Sequence, residues 1–224
     1  MSTLTTTTSG LLLGLAASVA IVHTAIGVDH ALPFVVLSRV QGWSFRRTMA
    51  ITALCGLGHI ASAVIIGLGA VALGVAVEQW VSLEEARGQL GLGLLTAFGL
   101  GYAALGAVRL WRRQPHSHAD ALDRRRLVTA WTLFVVLAFG PCEALVPLLL
   151  APGVLHDYAL LSSLIVVFGS LTVVTMLVLV AAGLLGTRLL RPERLLGPRL
   201  AGASDVFAGL AIAVTGVTVH ALGL

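Results

Sequence analysis

Six stretches of this chain are apolar for long enough to cross a lipid bilayer: roughly residues 11–38, 48–77, 89–110, 128–151, 158–187 and 203–223. A spanning helix needs about 20 mostly apolar residues, because in lipid every backbone N–H and C=O must be paired within the segment. Once these six are assigned, no soluble domain remains among the 224 residues. The composition agrees, with 58% hydrophobic and 11% charged residues, against about 25% charged in soluble domains. The expected fold class is an all-α integral membrane protein. Twenty-five glycines suit close helix approach in a medium without a strong hydrophobic drive between helices.

The arginines test the count of six. If the helices alternate sides, the loops near 39–47, 109–127 and 187–202 share one side and hold 13 of the 14 basic residues, leaving Arg87 alone on the other. Five or seven helices would scramble that partition. The positive-inside rule then puts the arginine loops in the cytoplasm and both termini outside a cell (inner) membrane. The same pattern explains the net charge of +4 without nucleic acid. MSTLTTTTSG carries no positive charge, so a first transmembrane helix is expected rather than a cleaved signal. Trp43, Trp80, Trp111 and Trp131 fall at predicted helix ends, as interfacial anchors would. GLGLLTAFGLG in the third span supplies small packing residues and is not a nucleotide loop, since no strand precedes it and no Lys follows.

Two stretches repeat a pattern. Gly27-Val-Asp-His-Ala-Leu-Pro33 aligns with Gly140-Pro-Cys-Glu-Ala-Leu-Val-Pro147, in the first and fourth spans. Three crossings separate the copies, and an odd number inverts the second unit. The expected architecture is therefore two inverted three-helix repeats, residues 1–113 and 128–224, joined by a cytoplasmic loop at 114–127, with helices one and four interrupted near the midplane. Secondary transporters built this way bind substrate at the interrupted helices.

Both copies place a carboxylate, Asp29 and Glu143, at membrane depth. A charge there costs on the order of 2.5–3.5 kcal/mol and by default signals function. Helix breakers flank each one, and backbone carbonyls freed at such breaks are tolerated where they line a cavity or hold an ion. His23 and His30 are seven residues apart, on one helix face. Cys55 and His59 stand at i and i+4 in the second span, and Ser62 continues that face. Cys142 precedes Glu143. Imidazole, thiolate and carboxylate together suit a borderline transition ion such as Ni, Co or Zn, not Ca or Mg. The metal-site candidates are therefore His23, Asp29, His30, His59, Cys142 and Glu143. Secondary candidates are Cys55, which serves equally as a packing residue, Thr172 and Thr175 as neutral oxygens, and His116 and His118 on the arginine-rich loop. His156 with Asp157, and His220, sit toward the outer face.

HTAIGVDHALPF, CGLGH and GPCEALVP together resemble the nickel/cobalt permeases of the NicO type. The nearest likeness is to the urease-accessory transmembrane proteins, also labelled sulfite exporters, within the lysine-exporter superfamily of inverted three-helix repeats. The likeness spans nearly the whole chain. In those permeases the first-helix motif is His, four residues, then Asp-His; here five residues separate His23 from Asp29, and Thr24 takes the expected His position. The resemblance implies that Asp29 and His30, with His23, are metal-site residues.

The function expected is a secondary transporter of a divalent transition-metal ion, nickel- or cobalt-like and proton-coupled, since ligands must be deprotonated to bind metal. It is not expected to be an enzyme, and no cofactor is permanently bound; the metal ion is substrate. Expected partners are that ion and membrane lipid, with a homo-oligomer left open and nucleic acid excluded. Two alternatives stand beside it. An intramembrane thiol relay of the cytochrome-biogenesis type would use Cys142 with Cys55. A sulfite-type anion exporter would want an arginine inside a span, and no predicted span has a central one.

Overall fold

The structure, a computed structural model, describes residues 2–73, 77–112, 119–140, 142, 145–149, 157–190 and 203–222. Every regular element among them is helical: α1 (Ser2–Ile26), a single 3-10 turn (Val28–His30), α2 (Leu32–Val40), α3 (Phe45–Ala72), α4 (Val77–Arg112), α5 (Ala119–Ala138), α6 (Val146–Leu149), α7 (Tyr158–Leu190) and α8 (Ser204–Leu222). Five helices are long and apolar enough to cross a membrane, the spanning parts being Thr8–Ile26, Phe45–Gly69, Glu78–Arg112, Tyr158–Leu189 and Ser204–Leu222. Leucines, valines and isoleucines stand exposed along them, such as Leu11, Leu57, Ile65 and Val166. Soluble monomers rarely show so much apolar surface. The chain is a multi-pass, all-α membrane protein.

Two expected spans are not single helices. The first, 11–38, stops at Ile26 and resumes at Leu32. Gly27 is extended (φ −68°, ψ 92°), and Pro33, in the first turn of α2, lacks an N–H exactly where a helix needs none. The fourth, 128–151, stops at Ala138, and among the described residues of that stretch α-helix resumes at Val146–Leu149. Pro141 has no N–H for the Leu137 carbonyl, so the α-helical ladder fails there. The apolar helical part, Leu127–Ala138, is thus shorter than a full span.

Other boundaries move too. α5 begins at Ala119, inside what the sequence suggests is loop 114–127; ADALDRRRL is rich in helix formers. α4 starts at Val77 and runs 36 residues, so EQWVSLEEARG is helix and not a break between spans. Its charges are accommodated because Glu84 and Arg87, one turn apart, pair with each other inside the bundle. Trp43 and Trp80 are buried core residues rather than interfacial anchors, whereas Trp111 and Trp131 are exposed. Asp157 accepts hydrogen bonds from the Ala159 and Leu160 N–H groups, which makes it the N-cap of α7.

Packing follows small residues. α4 and α8 lie against each other, with a Cβ on Gly99 colliding with the Ala213 backbone and one on Gly209 colliding with that of Ala103. α1 packs on α7, α3 lies against both α5 and α7, and α2 reaches α7 and α8. Two apolar cores result. One gathers Ala16, Ala20, Ile60, Trp80, Leu145 and Phe168; the other gathers Phe34, Leu37, Leu95, Leu133, Met176 and Ile212. His23, three residues after Ala20, and His59, just before Ile60, come from the border of the first core.

Candidate metal centre

Three histidines meet between α1, the 3-10 turn and α3. The His30 ring stands edge-on to both others, with centroids 5.3 Å from His23 and 5.4 Å from His59. One ligating nitrogen from each of His23, His30 and His59 falls within 4.8 Å of the others. On an uninterrupted helix, residues seven apart would be separated by about 10 Å along the axis, too far for one ion. The stop at Ile26 folds that distance away, so the shared helix face inferred for His23 and His30 is replaced by a break that brings them closer.

The rings are oriented by backbone carbonyls at the breaks, Gly27 O and Leu137 O, each of which also accepts a backbone N–H three residues on, from His30 and Gly140. Gly27 O, which Ala31 N–H would take in a continuous helix, lies 3.2 Å from His30 Nδ1, while Ala31 N–H bonds to Val28 O. Leu137 O, at the end of α5, lies 2.9 Å from His59 Nδ1. A carbonyl only accepts, so in each of these two rings Nδ1 carries a proton, and the ring when neutral presents its lone pair at Nε2. Asp29 Oδ1, 3.2 Å from His30 Nδ1, reinforces that tautomer. The Nε2 atoms of His23, His30 and His59 are buried and have no hydrogen-bond partner among the described residues. Buried polar atoms are rarely left so, and with one nitrogen of each ring within 4.8 Å of the others the three histidines could form a donor set. A tetrahedral ion with bonds of about 2.0–2.1 Å holds its nitrogens about 3.4 Å apart, so small ring rotations close the set.

Gly27 is required by space rather than by conformation. A Cβ there would collide with the His30 imidazole and come within 3.0 Å of Asp29 Oδ1.

The remaining candidates separate from this cluster. Asp29 is buried but stands behind His30 and not among the converging nitrogens. Cys55 and Cys142 are buried free thiols, in different apolar cores, and neither joins the cluster. Thr172 is buried with an unpartnered Oγ1, and Thr175 is half-buried one turn along α7. His220 is exposed. Glu143, His116, His118 and His156 lie outside the described residues.

Sequence reasoning missed an ion pair. Arg87 Nη2 donates to Glu84 Oε2 at 2.7 Å, and the two side chains are 6% and 3% exposed. Arg87 Nη1 also donates to Ser62 Oγ at 3.3 Å. The i,i+3 spacing of Glu84 and Arg87 was the available signal, hidden by reading the segment as a loop. A span therefore does contain an arginine, although its guanidinium is engaged by Glu84.

Comparison with protein-family models, with curated proteins and with solved structures gives no significant match.

Proposed function

We propose that this chain is a secondary transporter of a divalent transition-metal ion, nickel- or cobalt-like, coupled to protons, in a cell (inner) membrane with both termini outside. The observation that carries the reading is the trio of buried, unpartnered Nε2 atoms on His23, His30 and His59. Neutral imidazoles suit borderline ions such as Ni, Co and Zn and discriminate against hard Ca and Mg. Three protein ligands leave coordination positions for water, as a site that must release its ion requires. Asp29 acts behind His30, in the carboxylate–histidine–metal arrangement that raises ligand basicity.

An inverted repeat supports transport over static storage. Glycines and polar residues recur 113 positions apart: Gly27 with Gly140, Gly56 with Gly169, His59 with Thr172 and Ser62 with Thr175. The packing obeys the same exchange. Gly56 approaches Val173 on α7, and Gly169 approaches Ile60 on α3, the residue 113 before Val173. At a spacing of 110, Gly99 meets Ala213 as Gly209 meets Ala103, and Gly106 meets Val206 as Gly216 meets Thr96. α1 lies on α7 as α5 lies on α3. A site at such a repeat interface is where one half rocks against the other.

The test is cobalt flux into proteoliposomes, with an intravesicular indicator as readout. The wild type is expected to carry Co(II) down an imposed proton gradient, and His30→Ala, folded as judged by circular dichroism and gel filtration, is expected to carry none. Equal rates for the two proteins would end the proposal.

A further inference from the structure

The Glu84–Arg87 pair poses a physical question. Two full charges buried together barely repay their desolvation, and an apolar pair of similar size would often be as stable. Their surroundings suggest what they do. Arg87 Nη1 donates to Ser62 Oγ, 3.3 Å away. With a lone pair of its oxygen so engaged, the Ser62 hydroxyl has its own proton to give. It lies 2.6 Å from Ala138 O and 2.8 Å from His59 O. Ala138 is the last residue of α5, where the ladder fails, and the preceding carbonyl, Leu137 O, holds His59 Nδ1 at 2.9 Å. Ser62 thus ties the frayed end of α5 to α3 one turn beyond His59, and the ion pair ties Ser62 to α4.

We propose that Ser62 and Arg87, with Glu84 holding the guanidinium, are positioning residues for His59: they clamp the broken end of α5 so that the Leu137 carbonyl fixes the ring with Nε2 toward His23 and His30. This rests on the metal-transport reading above and adds the source of the third ligand's orientation. Past the end of its ladder Leu137 O accepts from Gly140 N–H in a tight turn rather than from the next helical turn, so this end can shift as a unit, and a ring hydrogen-bonded to that carbonyl shifts with it. The clamp removes that freedom through a hydroxyl and a guanidinium, neither of which touches the metal. Outer-shell partners of this kind typically change metal affinity by about 10–100-fold.

The experiment has one readout independent of metal and one that depends on it. Full-length protein with 15N-labelled histidine, reconstituted in lipid, reports the His59 tautomer by solid-state NMR, the signal being assigned by its loss in His59→Gln. The wild type is expected to show His59 protonated at Nδ1 only. Ser62→Ala and Arg87→Gln are expected to show mixed tautomers, and Ser62→Thr, which keeps the hydroxyl, to restore the single form. In Co(II) titrations Ser62→Ala is expected to bind about tenfold more weakly, with a shifted visible absorption band. An unchanged His59 tautomer in Ser62→Ala, the mildest variant, overturns the proposal, whatever Arg87→Gln does to folding. A wild type that takes up no Co(II) refutes the transport reading instead, and the tautomer comparison still decides whether the clamp orients the ring.

Discussion

The two helix breaks begin from similar sequence and end with different duties. At Gly27 the helix gives way to a single 3-10 turn that carries its own imidazole: His30 is on the turn, its ring held by Gly27 O and Asp29 Oδ1, both within three residues. At Gly140 the break lends a carbonyl to a ligand from elsewhere, Leu137 O to His59 of α3, across 78 positions of sequence. Where the first stretch has Asp29, the second has Cys142, which is buried in an apolar core and is not part of the cluster of three histidines. Residues before 113 supply all three imidazoles and the carboxylate, two of the imidazoles beside the first break; the second break contributes the orientation of His59. Two breaks of similar sequence can therefore share a backbone plan while differing in side chains, because a break redirects carbonyls whatever residues flank it.

The sharpest way to break this comparison is to remove the first break's contribution outright. His30 is the ring that touches both others, so His30→Ala leaves His23 and His59 without a bridge. Co(II) affinity is expected to fall by more than about 100-fold, beyond the range for an outer-shell partner. Asp29→Asn keeps all three nitrogens and alters only what stands behind His30. It is expected to cost about 10–100-fold, less than the loss from His30→Ala. Calorimetric titration of both variants decides the matter: if Asp29→Asn is as damaging as His30→Ala, the carboxylate is itself a ligand and the first break has a different geometry.

A gentler probe adds one methyl to each break. In Gly27→Ala the new Cβ overlaps the His30 ring, whose Cε1 it would meet at 2.8 Å, so the imidazole must leave its place. Overpacking of this kind costs about 1–3 kcal/mol, and Co(II) affinity is expected to fall at least about tenfold along with it. In Gly140→Ala the nearest atom is Leu137 O at 3.0 Å, and the His59 ring stays 3.6 Å away. The expected cost is below about 1 kcal/mol, with metal affinity changed by less than about fivefold. Thermal unfolding in detergent with and without Co(II) separates the two. Equal losses at both glycines would mean that the breaks share the site evenly.

Much of this was legible before any coordinates. Apolar run length marked the helices, because the bilayer's thickness constrains every span alike. The breaks were legible in Gly27, Pro33, Gly140 and Pro141, since proline's missing N–H acts locally. His23 and His30 were found, although for the wrong reason: seven-residue spacing suggested a common helix face, and the folded-back turn brings them together. Leu137 O was invisible because any residue offers a carbonyl, and only the fold decides which one meets the ring. Glu84 and Arg87 were read as loop because two charges in sequence look solvated; their burial depends on pairing with each other and on Ser62, 22 residues before Glu84. Cys142 precedes Glu143 in sequence, which suggests a ligand, whereas its thiol lies in an apolar core and is not part of the cluster of three histidine donors.

The smallest expected effect separates the histidine cluster from the thiols. Cys55 lies among Phe34, Leu133 and Met176 in one core, and Cys142 among Ala16, Trp80 and Leu149 in the other. Both thiols are buried and pack as small hydrophobes, although Cys142 also lies within electrostatic reach of the Glu84–Arg87 pair. Removing either sulfur leaves a cavity about the size of a methyl group, worth about 1 kcal/mol. Cys55→Ala with Cys142→Ala is accordingly expected to lower thermal stability slightly and to leave Co(II) affinity and proteoliposome flux within about twofold of wild type. Such retention is incompatible with a dithiol relay, in which a disulfide must form between cysteines whose Cα atoms come within about 7 Å. Loss of flux in the double variant, with affinity intact, would place a thiol on the transport path and give the second half of the molecule a chemical duty beyond orienting His59.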